Sequence, residues 1–212
     1  APGGLFGGGA LGGVPGVGKS TLAWQLALDV GQRVPVLYYD FENGFAVLMD
    51  RTREMFKGDL ERVRGAVGNL YYRDSIRGLD SDLAVVPPPG LVVVDSVQKL
   101  PGSVEYHKAS LDRWVHRLEY LKKRGYMVLM VSEVGRAAYG GNAYIGSYKE
   151  TGEIEYSADC GIQLLGSQDS SIVEVHIVKN RHRPQKGLVC LLDRRSSWRV
   201  RELLTSEGEE ID

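Results

Sequence analysis

The chain has 212 residues, of which 43% are hydrophobic and 25% are charged, a composition typical of a soluble globular protein of about one domain. Its formal net charge of −1 excludes nucleic-acid binding through overall charge, so any such binding requires a local basic patch. No apolar run reaches the ~18 residues needed to cross a membrane, and no signal peptide is recognised.

Two cysteines, Cys160 and Cys190, lie in apolar stretches without the spacing of a metal site or a redox motif. We therefore expect core residues in a reducing compartment, the cytoplasm. The chain begins at Ala1 without an initiator methionine, so we expect a fragment or a processed chain. A single domain is predicted over residues 1–205, followed by an acidic, frayed tail over residues 206–212.

A glycine-rich segment near the amino end fits the pattern G-x-x-x-x-G-K-[ST] of a phosphate-binding P-loop. Its glycines let backbone N–H groups turn inward around an anion, and the following helix directs its positive end at the same phosphates. Lys19 supplies an ammonium for the β- and γ-phosphates, and Ser20 supplies a hydroxyl ligand for Mg²⁺. The predicted nucleotide-binding residues are Gly13, Val14, Pro15, Gly16, Val17, Gly18, Lys19, Ser20 and Thr21.

The apolar pattern alternates between strands and helices on both sides of this loop. Residues 5–12 are a weak candidate for the strand that must precede a P-loop. A helix is predicted over residues 19–30 and ends at Gly31. Its apolar face comprises Leu22, Ala23, Leu26, Ala27 and Val30. The next predictions are a strand over residues 34–39, helices over 45–56 and 59–67, and a strand over 70–72.

The prolines at positions 87–89 predict that residues 81–90 lack regular structure. A continuous apolar run over residues 91–95 then ends in Asp95. This pattern is typical of a buried parallel strand that presents a carboxylate at the carboxyl edge of a sheet, where ligands bind. Together with a P-loop it indicates a Walker B strand, with Asp95 holding Mg²⁺ directly or through water.

Beyond this strand the pattern changes from alternating elements to strands alone. An amphipathic helix is predicted over residues 105–124, a buried strand over 126–132, a glycine- and tyrosine-rich loop over 135–152 and a strand over 159–165. Residues 172–178, 187–192 and 198–203 predict three strands joined by short turns. We interpret them as an antiparallel extension of a mainly parallel central sheet flanked by helices, an α/β fold.

Several segments resemble RecA-like ATPases. Residues 36–42, VLYYDFE, are similar to the strand that carries the catalytic glutamate in RecA, RadA/Sms and DnaB-type proteins. Residues 148–159, YKETGEIEYSAD, and residues 175–184, which include KNR, resemble two segments of DnaB-type hexameric helicases. RadA/Sms carries a similar KNR, and its DSIQ resembles the DSVQ at residues 95–98.

The resemblance implies a RecA-like P-loop fold and the ATP-hydrolysing motor domain of a DnaB-type helicase that acts on single-stranded DNA in replication. ATP and Mg²⁺ are the implied cofactors, and the implied assembly is a homo-oligomeric ring, a hexamer. Glu42 would activate the attacking water, while Lys179 and Arg181 would reach the γ-phosphate bound by the neighbouring subunit. Because residues i and i+2 of a strand point the same way, both cations would leave one face together.

Glu133 occupies the place of a glutamine that senses the γ-phosphate in DnaB-type proteins. A carboxylate there repels the γ-phosphate unless it is neutralised. Two loops face DNA in these proteins, and the resemblance places them here at residues 98–105 and 136–149. The residues expected to contact DNA are Lys99, Arg136, Tyr144 and Lys149.

Several alternatives stay open. A RadA/Sms-like recombination ATPase shares all of the nucleotide residues, whereas a KaiC-like ATP switch signals through protein partners without moving a DNA strand. Locally, Glu42 could be a solvated acid, and the KNR segment could be a basic hairpin in solvent or on DNA. Loop tyrosines can also cap the edge of a core instead of stacking on bases.

Overall fold

The computed structural model describes residues 7–103, 105–135, 152–166, 171–184, 186–193 and 201–203, the last three through their backbone only. Within these residues nine strands form one sheet. They are β1 (Gly8–Gly13), β2 (Val36–Asp40), β3 (Leu70–Arg73), β4 (Gly90–Asp95), β5 (Tyr126–Glu133), β6 (Cys160–Leu165), β7 (Ile172–Asn180), β8 (Gly187–Asp193) and β9 (Arg201–Leu203).

The sheet has the strand order β3-β2-β4-β5-β1-β6-β7-β8-β9. Every neighbouring pair from β3 to β6 is parallel, and every pair from β6 to β9 is antiparallel. The predicted α/β fold, a mainly parallel sheet with an antiparallel carboxyl-terminal extension, is therefore confirmed.

Six α-helices lie within the described residues, and none of them is long and apolar enough to span a membrane. They are α1 (Lys19–Gly31), α2 (Phe45–Met55), α3 (Leu60–Val67), α4 (Leu79–Leu83), α5 (His107–Lys123) and α6 (Glu153–Ser157). A single 3₁₀ turn over Val97–Lys99 follows β4.

The core has two halves, one on each face of the sheet. Because successive strand residues point to opposite faces, Leu37 and Tyr39 of β2 join the half formed with α4, α5 and α6. Val36 and Tyr38 join the half formed with α1, α2 and α3. With both faces covered by helices, polar chemistry in the parallel part of the sheet is confined to the ends of the strands.

The buried face of α1 is rotated relative to the prediction. Trp24 and Leu28 are buried, whereas Leu26, expected in the core, is 38% exposed. The Trp24 indole N–H donates to the Thr52 hydroxyl on α2 at 2.8 Å, and its ring meets the Tyr38 ring edge-on. A hydropathy pattern underrates tryptophan because of its polar N–H, which a hydroxyl satisfies here.

Other differences concern short elements. Residues 79–83 form α4, so the prediction of no regular structure over residues 81–90 is wrong at its start. Helix α6 was not predicted, since five residues are too few to display a helical period. Gly31 belongs to α1 instead of ending it. The other predicted elements coincide with observed ones apart from their ends, and Cys190 packs against the core as expected.

The parallel strands end at a common edge, which we call the carboxyl edge. Gly13 at the end of β1 lies opposite Glu133 at the end of β5. Asp95 at the end of β4 lies opposite Asp40 at the end of β2. Four strands thus present a P-loop glycine and three carboxylates within one row, which is the arrangement from which the site is built.

Candidate nucleotide-binding site

The P-loop connects β1 to α1 at the carboxyl edge. Gly16 and Gly18 have φ angles of 77° and 105°, which side chains other than glycine rarely adopt. The Nζ of Lys19, the first residue of α1, donates to the carbonyl oxygens of Gly13 at 2.9 Å and Val14 at 3.0 Å. The loop therefore wraps around its own lysine, with the amino end of α1 directed at the same place.

Three carboxylates surround this lysine. Burial lowers the pKa of Lys19, while attraction to Glu133, Asp95 and Glu42 opposes the shift, with Glu133 exerting the largest of the three effects. The acid at the predicted γ-phosphate sensor position thus lies within the electrostatic reach of Lys19. The neutralising charge that an acid needs at this position is supplied by the P-loop itself.

Asp95 is 1% exposed at the end of β4. The Tyr38 hydroxyl donates to its Oδ2 at 3.0 Å, and the Ser20 hydroxyl also hydrogen-bonds to the carboxylate. Burial raises the pKa of Asp95 to about 6, although these two hydrogen bonds oppose the shift. Its Oδ1 is buried and has no hydrogen-bond partner among the described residues. An orphaned carboxylate oxygen beside a hydroxyl fits a hard cation, so the residues present fit Mg²⁺.

The turn after β2 is organised by Asp40. Its carboxylate accepts hydrogen bonds from the backbone N–H groups of Glu42 at 3.1 Å, Asn43 at 3.0 Å and Gly44 at 2.7 Å. The Tyr72 hydroxyl on β3 also donates to Asp40 at 3.2 Å. A side chain that binds three successive N–H groups fixes the course of the turn, and hence the direction of Glu42.

Glu42 reaches across from β2 to the segment after β4. The Ser96 hydroxyl donates to its Oε1 at 3.0 Å, and the Lys99 ammonium donates to its Oε2 at 2.9 Å. In the same segment, the Gln98 amide donates to the Ser132 hydroxyl at 2.7 Å and accepts from the Glu133 N–H at 3.3 Å. Residues 96–99 therefore contact both Glu42 and the end of β5.

The P-loop and Glu42 line one cavity of about 320 Å³. Its lining residues are Gly16, Gly18, Lys19, Ser20, Thr21, Glu42, Asn43 and Arg51. Among the other predicted P-loop residues, Val17 packs in the core, and Val14 and Pro15 do not line the cavity. The volume and the convergence of backbone, cation and carboxylate suit a polyphosphate.

Arg51 and Asn43 are lining residues that sequence reasoning missed. Arg51 lies on α2 three residues after the buried Leu48, so both lie on the helix face that turns inward. That spacing was the available signal. Arg53, two residues further on, is instead exposed and pairs with Asp50 at 2.6 Å.

The two predicted trans-acting cations lie far from the P-loop of their own chain. Because β7 is antiparallel to β6, Lys179 lies opposite Gly161, and the adjacent Cys160 lies opposite Gly9 of β1. At about 3.3 Å per residue, Gly9 is about 13 Å from Gly13, where the P-loop begins. Both cations are at the edge where the parallel strands start, which we call the amino edge.

Lys179 and Arg181 both bind the end of α6. Each donates to the Tyr156 carbonyl oxygen, Lys179 at 3.3 Å, and Lys179 also donates to the Glu155 carbonyl oxygen. Arg181 forms an ion pair with Asp159 at 3.2 Å. The shared carbonyl places the two side chains on one side of the hairpin, in agreement with their i, i+2 spacing.

The predicted DNA contacts divide into two groups. Arg136, Tyr144 and Lys149, with the loop that contains them, lie outside the described residues. Lys99 is described, and it forms the ion pair with Glu42. Its side chain is 51% exposed, so the same ammonium also faces solvent.

A model of the AAA domain family matches residues 7–138, more than half of the chain. The chain belongs to this family. The matched region contains the P-loop, Glu42, Asp95 and Glu133, and it ends before β6. Membership in this family and the geometry at the carboxyl edge identify an ATPase-type, nucleotide-binding domain.

Among curated proteins, the chain is similar to DNA repair protein RadA. The Salmonella typhimurium protein is 27% identical over 179 residues, which cover 81% of this chain and 35% of that protein. The Brucella abortus protein is 32% identical over 143 residues, which cover 62% of this chain and 30% of that protein. The chain thus spans about a third of the length of the curated relatives it matches.

Among solved structures, the chain is similar to an isolated ATPase domain, with a TM-score of 0.77 and 18% identity over 93% of this chain and 85% of that one. A DnaB-like replicative helicase, solved in a study of its interactions with primase, gives a TM-score of 0.75 and 18% identity over 92% of this chain and 58% of that one. These similarities confirm the RecA-like fold.

Proposed function

We propose that this chain is the ATP-hydrolysing motor domain of a DnaB-type ring helicase that acts on single-stranded DNA, with residues 1–205 forming its single domain. The observation that carries the proposal is the convergence of Lys19, Ser20 and Glu42 on one cavity beside the buried Asp95. A phosphate cradle, a cation site and an adjacent carboxylate are the parts that nucleotide hydrolysis requires.

In this proposal, backbone N–H groups of residues 13–18 and the ammonium of Lys19 hold the β- and γ-phosphates. Ser20 and Asp95 hold Mg²⁺, which neutralises phosphate charge when bound. Glu42 orients the attacking water and accepts its proton, since it is the carboxylate that lines the cavity opposite the P-loop.

The location of Lys179 and Arg181 supports an assembly in which sites are shared. They lie at the amino edge, and so they cannot complete the cavity of their own chain, at the carboxyl edge. Stacked head to tail in a homo-oligomeric ring such as a hexamer, each subunit would offer this pair to its neighbour's γ-phosphate. A trans-acting arginine stabilises the charge that develops during phosphoryl transfer.

A three-variant experiment tests the proposal. Glu42→Gln should retain Mg²⁺–ATP binding but lose turnover, whereas Lys19→Ala should lose nucleotide affinity. Mixing Arg181→Ala subunits with Lys19→Ala subunits should restore part of the ATPase, because one subunit type keeps an intact P-loop and the other an intact cation pair. Retained turnover in Glu42→Gln, or no recovery in mixed assemblies that do form, contradicts the proposal.

A RadA-like recombination ATPase is the second candidate, favoured by similarity to proteins named DNA repair protein RadA over 81% of the chain. Both candidates predict ATPase activity that single-stranded DNA stimulates. They differ in the DNA product: a replicative helicase separates a forked duplex, whereas a recombination ATPase extends strand exchange at a branched intermediate. Assays of the full-length protein on both substrates distinguish them, and inactivity on both with DNA-independent turnover favours an ATP switch.

A further inference from the structure

Both carboxylate oxygens of Glu42 are engaged by the segment that follows β4. Oε1 accepts a hydrogen bond from Ser96 and Oε2 accepts one from Lys99, at 3.0 Å and 2.9 Å. The contacts span 54 and 57 positions of sequence, so they result from the fold and not from local geometry. The residue proposed to accept a proton from water is thus held at both of its acceptor atoms.

We propose that Lys99 is a latch on Glu42, and that the phosphodiester backbone of single-stranded DNA releases it. This inference rests on the proposed function, because it assigns a regulatory contact to the same site. With Lys99 bound to Glu42, hydrolysis is slow. When a DNA phosphate takes the ammonium, Oε2 becomes available to water.

The chemistry follows from the ion pair. Proton transfer from water to a carboxylate that is paired with an ammonium must sacrifice the pair's attraction, and it leaves the ammonium beside a neutral acid. The Glu42 side chain is 33% exposed, and that of Lys99 is 51% exposed. Solvent therefore weakens the pair without abolishing it, as a reversible latch requires.

The position of Lys99 makes it accessible to a polyanion. It ends the 3₁₀ turn Val97–Lys99, whose first residue is buried in the core and therefore anchored. Gln98 ties the same turn to Ser132 and Glu133 at the end of β5. A ligand that moves the Lys99 ammonium thus acts on a turn that contacts two acids at the nucleotide site.

The test measures ATPase turnover of wild type, Lys99→Met and Lys99→Arg with and without an oligothymidine strand. Lys99→Met keeps the length of the side chain but removes its charge. It should raise basal turnover about two- to five-fold, the effect of a half-exposed ion pair, leave the KM for ATP unchanged, and reduce the stimulation by DNA to near unity. Lys99→Arg should retain a low basal rate and stimulation.

Lys123→Met is the matched control, since this exposed lysine ends α5 near the amino edge. It should behave as wild type. Basal turnover in Lys99→Met that is equal to or below wild type overturns the latch. A stimulation ratio equal to that of wild type overturns the coupling to DNA.

A second measurement does not require turnover, and so it separates failure of the latch from failure of the proposed function. An ammonium in an ion pair is acylated more slowly than an unpaired one. Acetylation of Lys99, followed by mass spectrometry, should therefore be faster in Glu42→Gln than in wild type, with Lys123 unaffected. Equal rates at Lys99 overturn the latch, whereas faster labelling in a protein without ATPase activity sustains the contact and rejects the motor.

Discussion

Asp159 and Arg181 form an ion pair at the amino edge of the sheet, 3.2 Å apart, between the start of β6 and the hairpin after β7. The other Asp159 oxygen accepts the Gly8 N–H at 2.8 Å and the Lys122 ammonium at 3.1 Å. One carboxylate therefore connects the first strand, the end of α5 and the proposed trans-acting hairpin.

This network predicts a loss of stability in acid. Burial by itself raises the pKa of Asp159, but the Gly8 N–H, Lys122 and Arg181 outweigh it and lower the pKa below its usual value. The folded state thus favours the ionised form, and its stabilising effect is present above about pH 4 and is lost as the pH falls through the lowered pKa. In urea unfolding, Asp159→Asn should cost about 1–2 kcal/mol at pH 7 and less at pH 3. A cost that does not depend on pH contradicts this.

Asp95 should behave in the opposite way. Because burial raises its pKa to about 6, the folded state binds a proton that the unfolded state lacks between about pH 4 and pH 6. The contribution of Asp95 to stability therefore increases as the pH falls through 6, and Asp95→Asn should remove this dependence. Protons also compete with Mg²⁺ for the carboxylate, so the Mg²⁺ concentration needed for nucleotide binding should rise below pH 6. Calorimetry with and without Mg²⁺ measures both effects.

Arg51 should contribute to nucleotide binding although no motif marks it. It lines the cavity with the P-loop, whereas Arg53 on the same helix is exposed. Arg51→Ala should weaken ATP binding about tenfold, the effect of a lost charge-assisted hydrogen bond. Arg53→Ala is the control and should leave affinity unchanged. Titration with a fluorescent ATP analogue gives both values, and equal affinities for the two variants contradict the assignment.

Trp24 should be more important to stability than Trp114. Its ring is 0% exposed, and its N–H binds Thr52 at 2.8 Å inside the core. Trp24→Phe leaves a cavity and an unsatisfied hydroxyl, so it should cost about 2–4 kcal/mol. Trp114 is half-buried and donates to the Pro101 carbonyl oxygen, where water can replace it. Trp114→Phe should therefore cost about 1 kcal/mol or less in the same unfolding assay.

The sequence predicted those parts of the site that a single segment encodes. The P-loop is continuous, and Asp95 ends an apolar run that could only be a buried strand, so both were identified by local pattern. Even the glycine-rich β1 was located, because a P-loop requires a strand before it. At Gly13, an added Cβ would lie 2.7 Å from Val17 and 3.0 Å from the Leu164 carbonyl oxygen, so glycine is required there.

What could not be predicted depends on register and on distant contacts. Whether Lys179 lies at the carboxyl or the amino edge is decided by the antiparallel pairing of β7 with β6, which no residue type specifies. The pairing of Lys99 with Glu42 depends on how two turns, each fixed by its own hydrogen bonds, approach each other. A basic residue in a loop was therefore predicted to bind DNA, when its partner within the chain is an acid.

The separation of the two edges gives the subunit a head and a tail. An interface that joins a carboxyl edge to a neighbour's amino edge is heterologous, so it can repeat without limit unless rotation closes it. In an open row, the terminal subunit at one end would keep an unfinished pocket and the one at the other end an unused pair of cations. Closure removes both ends at once, so the number of competent sites would equal the number of subunits only in a complete ring.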